Sequence, residues 1–282
     1  MRVVLAQISP RLGDLKYNLD LHLKHIVRAK RNNVDLLIFP ELSLTGFTLK
    51  DLTQEVAINP VKDPGFQKIK NLSQGISLVF GLVEESEDGL IYNSSVFLSE
   101  GEICHIHRKV FLPTYGMFEE GKFFAQGRNF RTFPTVFGPT GMMICYDFLH
   151  YGASYLLFVG GAGMIIVISA APGRGVAEGQ AYATSHMWEL MGEAIARFSS
   201  AFLIYCNRVG MEAGKIFAGG SFIYSPAGEL ITKASYVDEE LVTADIDLSQ
   251  IRTLRKKWPY KRDEKPEIIW RALERIIRDN ED

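Results

Sequence analysis

Short apolar runs recur along the chain, and turn residues or longer amphipathic stretches separate them. Most of these runs are rich in β-branched residues, which favour the pleated surface of a sheet. The spacing leaves room for helices between the early runs, whereas the later runs follow one another more closely. We therefore predict strands at 2–6, 35–39, 77–80, 95–98, 141–145, 164–169, 201–205, 221–224 and 241–245.

Three stretches between or after these runs have helical patterns. The first begins at Asn18, a residue type that caps helices, and its apolar positions share one face. The other two span 178–199 and 266–278, the last with Pro266 in its first turn. A turn at 225–228 marks a hairpin, so we predict a mixed α/β fold with helices covering sheets. The shared apolar positions of the first helix are Leu19, Leu23, Ile26 and Val27.

One stretch is long enough to be mistaken for a membrane span. Residues 148–173 contain no Asp, Glu, Lys or Arg. However, glycines at 160–163 interrupt this stretch, and the β-branched run after them is typical of a core strand. We therefore predict a buried helix, a turn and a strand there, with no membrane association. Because so long a charge-free segment is unfavourable in water, the helix after Gly152 also suggests a buried subunit interface.

Composition and charge limit the classes of function. The chain has 282 residues and a formal net charge of −2. Because acids and bases are interspersed, we expect no nucleic-acid partner. No linker divides the chain, so we predict a single domain over 1–282, with a tail and helix from about 250. The three cysteines form no CxxC pair and no charged and apolar leader opens the chain, so we expect a cytoplasmic protein without a secretory signal.

Three reactive side chains stand at predicted strand ends, two after apolar runs and the third at the end of a polar–apolar segment. They are Glu41, Lys109 and Cys145. A thiol can attack an amide or nitrile carbon, a carboxylate can move its proton, and an ammonium can stabilise the resulting oxyanion and favour the thiolate. Such chemistry needs neither a metal nor an organic cofactor. We interpret the other two cysteines, Cys104 and Cys206, as packing residues.

Two histidine-containing segments have alternative interpretations. His105 and His107 would share one face of a strand, as metal ligands can, but no acidic or Cys cluster completes a site. We therefore predict a solvent-facing pair and no metal. His186 and Trp188 either line a pocket or belong to the core.

Three segments together resemble the signature blocks of the nitrilase, or carbon–nitrogen hydrolase, superfamily. They are residues 39–47 (FPELSLTGF), Lys109 followed by LPTYG at 112–116, and residues 144–147 (ICYD). Their order and separations also fit, and the resemblance covers roughly residues 2–250. Shorter matches occur at 5–7, 168–172, 207–210 and 219–222.

The resemblance implies a fold, a dimer and a set of site residues. The fold is a four-layer αββα sandwich, which in this superfamily usually pairs into a homodimer. Glu41 matches the general base, Lys109 the oxyanion lysine and Cys145 the nucleophile. Tyr146 would contribute its backbone N–H to the oxyanion, and Ser169, in the block 168–172, would bind substrate.

Residues 112–120 are similar to the glutaminase domain of glutamine-dependent NAD synthetase. In that alignment Glu120 matches a second active-site glutamate, with Glu119 as the alternative, and Tyr115 matches a substrate-pocket tyrosine. Phe47 stands where those glutaminases often have tyrosine. The segment 148–152 departs from the family pattern after the cysteine, so the resemblance does not give the substrate.

We therefore expect an amidase that converts a small linear amide into a carboxylic acid and ammonia or an amine through a Cys145 thioester. The alternatives are a nitrilase, an N-carbamoyl amidohydrolase and a glutaminase subunit that supplies ammonia to a synthetase. A binding protein that retains the fold without catalysis is the alternative from another class. The C-terminal helix either closes the dimer or covers the sandwich.

Overall fold

The computed structural model describes residues 1–175 and 182–279, in which strands and helices alternate early and hairpins follow later. The strands are β1 (Arg2–Gln7), β2 (Leu36–Ile38), β3 (Ser77–Glu85), β4 (Ile91–Ser99), β5 (Glu102–Arg108), β6 (Phe133–Thr135), β7 (Gly138–Ile144), β8 (Met164–Ser169), β9 (Phe202–Asn207), β10 (Val209–Glu212), β11 (Lys215–Ala218), β12 (Phe222–Tyr224), β13 (Leu230–Lys233) and β14 (Glu240–Asp245). The helices are α1 (Leu15–Arg31), α2 (Pro64–Leu72), α3 (Tyr151–Val159), α4 (Ala183–Ser199), α5 (Ser249–Lys257), α6 (Tyr260–Asp263) and α7 (Pro266–Asp279).

Within the described residues, twelve of these strands form two six-stranded sheets. Sheet 1 has the order β14-β1-β2-β3-β4-β5, and sheet 2 has the order β13-β12-β9-β8-β7-β6. The central strands of each sheet are parallel: β1, β2 and β3 in sheet 1, and β7, β8 and β9 in sheet 2. The outer pairs are antiparallel, and β10 and β11 form a separate hairpin.

The two-residue period of the strands separates the core into layers. In β1, Val3 and Leu5 belong to the cluster shared with sheet 2, whereas Val4 and Ala6 belong to the cluster shared with α1 and α2. Helices α3 and α4 pack against the other face of sheet 2. The layers are therefore helices, sheet, sheet and helices, which confirms the predicted αββα sandwich.

The predicted strands all have counterparts, and several are longer than their apolar runs. The run at 77–80 belongs to β3, which continues to Glu85, and the run at 95–98 belongs to β4, which begins at Ile91. The run at 141–145 ends one residue early, because Cys145 begins a 3₁₀ turn. The runs underestimate these strands because a glycine and two glutamates lie in the added part of β3, and polar residues 93–95 lie in β4.

The first helix begins earlier than predicted. Asp14 caps α1 by accepting a hydrogen bond from the Tyr17 N–H at 3.0 Å. Asn18 lies inside the helix and is buried, because its amide bonds to the backbone of Arg11 and donates to the Leu44 oxygen at 3.1 Å. Val27 is not on the buried face, since it is 37% exposed.

The other helix predictions differ at one boundary. Helix α4 begins at Ala183 instead of 178, and the predicted first turn falls largely outside the described residues. Helix α7 spans Pro266–Asp279, in agreement with the prediction at 266–278. The charge-free stretch forms α3, a turn and β8 as predicted, although Tyr151 and Leu156 of α3 are exposed. Across residues 1–175 and 182–279, no helix combines the length and apolar character needed to span a bilayer.

Candidate active site

The candidate catalytic residues follow strand ends on both sheets. Glu41 comes shortly after β2, Lys109 directly after β5, and Cys145 directly after β7. Strands β4 and β5 of sheet 1 contact β7 of sheet 2, so the ends of β5 and β7 are neighbours across the sandwich. The structure thus brings together side chains that lie more than a hundred positions apart in sequence.

A buried ammonium between two carboxylates forms the centre of the site. Lys109 Nζ donates to Glu41 Oε1 and to Glu120 Oε1, both at 2.8 Å. The side chains of Lys109 and Glu41 have no solvent exposure, and Glu120 is 7% exposed. Charges are retained at such depth only when partners satisfy them, so these three groups form one electrostatic unit.

Backbone and amide donors fix the Glu41 carboxylate. Asn93 Nδ2 donates to Glu41 Oε1 at 2.7 Å, and the Ala170 N–H donates to Glu41 Oε2 at 2.7 Å. The Glu41 N–H donates to the Ser169 oxygen at 3.4 Å. Glu41 is therefore bonded to both sheets, through β4 and through the end of β8.

Cys145 has a backbone conformation that is unusual for its residue type. Its φ is +45°, in the left-handed region, where a non-glycine residue is strained by roughly 1–2 kcal/mol. Leu42, which follows Glu41, also has a left-handed φ of +50°. The sharp turn at Cys145 ends β7 and begins the 3₁₀ turn Cys145–Leu149, so the thiol is placed at the strand end.

Burial raises the pKa of the Cys145 thiol far above its usual range, and the Glu41 carboxylate adds to this effect. The Lys109 ammonium acts in the expected direction and lowers the pKa of Cys145, but burial outweighs it. The prediction that the lysine favours the thiolate is therefore correct for the effect of Lys109 alone. It is wrong for the overall pKa of Cys145, which is raised. A raised pKa favours the protonated thiol, so a nucleophilic role for Cys145 would require a base.

The charges of Lys109, Glu41 and Glu120 also shift the pKa values of Lys109 and Glu120. Burial by itself lowers the pKa of Lys109, but the carboxylates of Glu120 and Glu41 outweigh it and raise that pKa well above normal. Burial, opposed by Lys109 and assisted by Glu41, raises the pKa of Glu120 to about 7. Lys109 is thus a permanent cation, whereas Glu120 changes its charge near neutral pH.

The alternative glutamate and the pocket residues lie nearby but differ in exposure. Glu119 is exposed and pairs with Lys122, so the structure brings Glu120 and not Glu119 to Lys109. Tyr115 is half exposed, and its ring centroid lies 5.6 Å from that of Tyr146.

Two further predicted pocket residues are more enclosed. The partly buried Phe47 ring packs edge-on against Phe118 at 6.4 Å and Phe217 at 5.7 Å. Ser169, the last residue of β8, is fully buried. Both side chains are therefore held inside the fold and not on its outer surface.

Several buried polar atoms of these elements have no hydrogen-bond partner among the described residues. They include Glu120 Oε2, Asn93 Oδ1, Ser169 Oγ and the Tyr205 hydroxyl. Buried polar groups are nearly always satisfied in folded proteins, so these four atoms have hydrogen-bonding capacity that water or a polar ligand can use. Amide nitrogen and carbonyl oxygen atoms are suitable partners for these donors and acceptors.

Three predictions about neighbouring residues are wrong. His107 does not face solvent: it is 3% exposed, and its Nε2 lies 2.9 Å from Asp147 Oδ2. His105 is partly buried and stacks on Phe133 at 4.3 Å, because β6 packs against β5. Cys104 is exposed, since it occupies the outward position of the same strand.

The remaining predictions for single residues have clear outcomes. Cys206 is buried in β9, as expected for a packing residue. Trp188 belongs to the core, where it stacks between Phe148 and Tyr205, and His186 is exposed.

Sequence reasoning missed Asn93 and the buried Arg208–Glu212 pair. Asn93 lies in a polar run, 93–95, inside the buried strand β4, and a polar run in a buried strand is the signal that could have identified it. Arg208 is fully buried and donates to Glu212 Oε2 at 2.7 Å. Glu212 in turn accepts the N–H groups of Phe47 and Thr48, so the pair holds the segment that follows Glu41.

Comparison with known proteins agrees with this geometry. The family model for carbon–nitrogen hydrolases matches residues 2–256. A glutamine-dependent NAD(+) synthetase of Acinetobacter baylyi is 31% identical, with 89% of this chain and 45% of the relative covered. An (R)-stereoselective amidase of a Pseudomonas species is 30% identical, with 93% of this chain and 91% of the relative covered.

Solved structures give the same grouping. The crystal structure of a carbon–nitrogen hydrolase from Helicobacter pylori G27 has a TM-score of 0.86 at 25% identity, with coverage of 97% of this chain and 98% of that chain. The chain spans less than half the length of the two synthetases that are first among its curated relatives, 45% and 42%.

Proposed function

Because the chain belongs to the carbon–nitrogen hydrolase family, we propose that it is a cysteine-dependent amidase that cleaves a small linear amide to a carboxylic acid and ammonia or an amine. Membership makes it a hydrolase of carbon–nitrogen bonds. The narrower proposal is supported by the Pseudomonas relative, which is an amidase and matches over nearly its whole length.

One observation carries the proposal: the Lys109 ammonium is buried between Glu41 and Glu120, at the strand ends that also bear Cys145. Burying one cation with two carboxylates costs several kcal/mol of desolvation and is rarely retained for stability alone. A nucleophile beside a base and a fixed cation is the arrangement that acyl transfer needs.

In the first step the Cys145 sulfur attacks the amide carbonyl carbon while Glu41 takes the thiol proton. Because the pKa of Cys145 is raised, proton removal has to accompany carbon–sulfur bond formation. Glu41 Oε1 already accepts hydrogen bonds from Lys109 and Asn93, whereas among the described residues Oε2 accepts one, from the Ala170 N–H. Oε2 therefore keeps an acceptor position for the incoming proton.

The tetrahedral intermediate carries its negative charge on the former carbonyl oxygen. We assign its stabilisation to Lys109 Nζ and to the backbone N–H of Tyr146. Lys109 suits this role because its raised pKa keeps it charged throughout the cycle, and its two carboxylates hold it in place. Glu41 then returns the proton to the leaving nitrogen, and the carbon–nitrogen bond breaks to leave a Cys145 thioester.

Water completes the cycle. Glu41 takes a proton from the attacking water, the second tetrahedral intermediate forms at the same site, and collapse releases the acid and the Cys145 thiol. To Glu120 Oε2, which has no hydrogen-bond partner among the described residues, we assign the role of accepting a hydrogen bond from the substrate nitrogen. Tyr115, Tyr146, Phe47 and Ser169 are our candidates for the substrate-binding walls.

A glutaminase is the second candidate, because the Acinetobacter relative is glutamine-dependent and is the more identical of the two curated proteins described above. In that case the same thioester chemistry would release ammonia from glutamine for a separate synthetase. A nitrilase and an N-carbamoyl amidohydrolase would use the same residues on a different substrate.

The test is ammonia release from a panel of primary amides, N-carbamoyl amino acids, glutamine and nitriles. We expect release from at least one amide, and we expect Cys145→Ala to reduce it by at least about 10⁴-fold, as for other covalent nucleophiles. Cys104→Ala is the matched control, because its thiol is exposed and lies on the outward side of β5. Trapping an acyl group on Cys145 by mass spectrometry would identify the thioester directly.

Each contrary result points to a defined alternative. Full activity in Cys145→Ala would exclude the mechanism. Turnover of nitriles without amides would favour the nitrilase. No turnover of any compound, with no acyl group trapped on Cys145, would favour a binding protein.

A further inference from the structure

A buried carboxylate links the two strand ends that bear Lys109 and Cys145. Asp147, two residues after Cys145, has no solvent exposure. Its Oδ1 accepts the backbone N–H groups of Val110 and Phe111 at 3.1 and 2.9 Å, directly after Lys109. Its Oδ2 accepts the Ile144 N–H at 3.1 Å, directly before Cys145.

His107 supplies the remaining partner of this carboxylate. Its Nε2 lies 2.9 Å from Asp147 Oδ2, and the ring packs near Phe130 with 3% exposure. A carboxylate is acceptor-only when ionised, so Nε2 carries the proton in this pair. With three backbone N–H groups and one imidazole, the four lone-pair positions of Asp147 are all used.

We propose that Asp147, held by His107, is a positioning residue that fixes the distance between the nucleophile Cys145 and the oxyanion cation Lys109. The inference rests on the proposed amidase mechanism, in which both groups act on one carbonyl. Neither Asp147 nor His107 has to touch the substrate for this role.

The need for such a link follows from the location of the two groups. Lys109 follows an edge strand of sheet 1, and Cys145 follows a strand of sheet 2, so no β-ladder joins them. Cys145 also occupies a strained left-handed conformation, which the surrounding bonds have to maintain. A misplacement of about 1 Å between reacting groups can cost about a hundredfold in rate.

The Asp147→Asn variant breaks one side of this link selectively. The amide keeps one oxygen, which can still serve Val110 and Phe111. Its NH₂ then faces His107 and the Ile144 N–H. His107 can accept from the NH₂ by changing its tautomer, but the Ile144 N–H loses its acceptor, and the turn before Cys145 is released.

The experiment measures kcat and KM for the best amide of the panel and the rate of Cys145 alkylation by iodoacetamide. Adduct formation is quantified at Cys145 by peptide mass spectrometry. Glu84→Gln is the matched control. Glu84, in β3, is also a buried carboxylate, and it accepts hydrogen bonds from Ser94 and from Arg108 at the end of β5. These partners do not belong to the turn of Cys145.

We expect Asp147→Asn to lower kcat at least about tenfold with KM changed less than about threefold, and to slow Cys145 alkylation. His107→Leu should show the same pattern. His107→Gln should recover most of the activity, because its amide can donate from nearly the same position. Glu84→Gln should leave both rates close to those of the wild type.

Unchanged kcat and alkylation in a folded Asp147→Asn protein would overturn the inference. If that variant does not fold, the two His107 variants decide: equal rates in His107→Leu and His107→Gln would also overturn it. A wild-type protein without amide turnover, but with alkylation that is slowed in Asp147→Asn and not in Glu84→Gln, would refute the amidase and support the positioning role.

Discussion

At the scale of single residues, Glu120 is a group whose charge changes near neutral pH. Burial outweighs the Lys109 ammonium and, with the Glu41 carboxylate, raises the pKa of Glu120 to about 7. In the proposed mechanism its ionised Oε2 accepts a hydrogen bond from the substrate nitrogen. Protonation would convert that acceptor to a donor and would also weaken the ion pair between Glu120 and Lys109.

We therefore predict that kcat/KM falls as pH drops below about 7, with a slope that corresponds to one proton. In Glu120→Gln, kcat/KM should be at least about tenfold lower, because the amide cannot provide the second negative charge beside Lys109. The fall of kcat/KM below about pH 7 should be absent in this variant. The measurement is a pH–rate profile of both proteins. A limb of equal midpoint in Glu120→Gln would assign that titration to another group.

The same shift predicts a pH effect on stability. The folded-state pKa of Glu120 lies above its usual value of 4.5, so the native state holds this proton more tightly than the unfolded state. The stabilisation from Glu120 is complete below about pH 4.5 and is lost as pH rises through about 7.

The difference in unfolding free energy between wild type and Glu120→Gln should therefore decline over this window and be flat above it. Urea unfolding at a series of pH values gives this difference, and the contributions of distant groups cancel in it. A difference that rises with pH would contradict the assigned direction.

At the scale of secondary-structure elements, two glycines, one in β3 and one in the segment before β6, let the backbone pass close to the candidate residues. A Cβ on Gly81 of β3 would lie 2.2 Å from the Leu42 nitrogen and 2.8 Å from the Glu41 Cα. A Cβ on Gly127 would lie 2.0 Å from the Arg108 oxygen, next to Lys109. Backbone atoms cannot move away as a flexible side chain can, so these contacts set where Glu41 and Lys109 stand.

We predict that Gly81→Ala displaces the Glu41 segment and lowers kcat at least about tenfold. Overpacking of this kind should also cost about 1–3 kcal/mol of stability. Gly152→Ala is the control, because its Cβ would meet no atom within 4 Å and alanine favours the helix α3. Activity and thermal unfolding measure the two effects, and wild-type activity in Gly81→Ala would show that the segment can relax.

At the scale of the whole molecule, the outer helical layer on sheet 2 exposes apolar side chains. These side chains on α3 and α4 are more numerous than single exposed apolar residues on an ordinary surface. Helix α3 is part of the charge-free stretch 148–173. The superfamily resemblance implies a homodimer, and we propose that a second copy of this chain covers this face. The exposed residues include Tyr151, Leu156, Leu190 and Phe198, with exposures of 83%, 50%, 59% and 63%.

We predict a dimer by sedimentation velocity at micromolar concentration, and a monomer for Phe198→Glu, because a charge would have to be buried without a partner. Val61→Glu is the control, since Val61 is 66% exposed but precedes α2, on the other outer layer. A monomeric wild type, or a dimer that both substitutions leave intact, would contradict this interface.

The C-terminal helix shows how an element can be predicted without its role. The apolar spacing predicts α7 correctly, but no residue of this helix is buried, and its apolar side chains remain exposed. Periodicity reports that one face is apolar, whereas the partner of that face is a property of the assembly. Removal of 266–282 should therefore weaken the proposed dimer more than it lowers the unfolding free energy of the chain.

The sequence by itself determined the layered fold and the positions of Glu41 and Cys145 after apolar runs. Lys109 ends a polar–apolar segment, and its strand β5 (Glu102–Arg108) is not among the predicted apolar runs. Strand and helix periods are local, and a reactive residue directly after an apolar run is visible in the chain itself. For the same reason local patterns misplaced the start of α1, where Asn18 serves a contact with Leu44 and not a cap.

Only the tertiary structure decided which groups meet and how their charges behave. Glu41 is bonded to Lys109 across 68 positions and to the Ala170 N–H across 129 positions, and the sequence gives no register between such distant segments. It also decided that Glu120 is the partner of Lys109, that His107 turns inward to Asp147, and that the Cys145 thiol rests protonated. Burial and pairing are sums over the whole surroundings of a group, so they exist only once the two sheets have packed together.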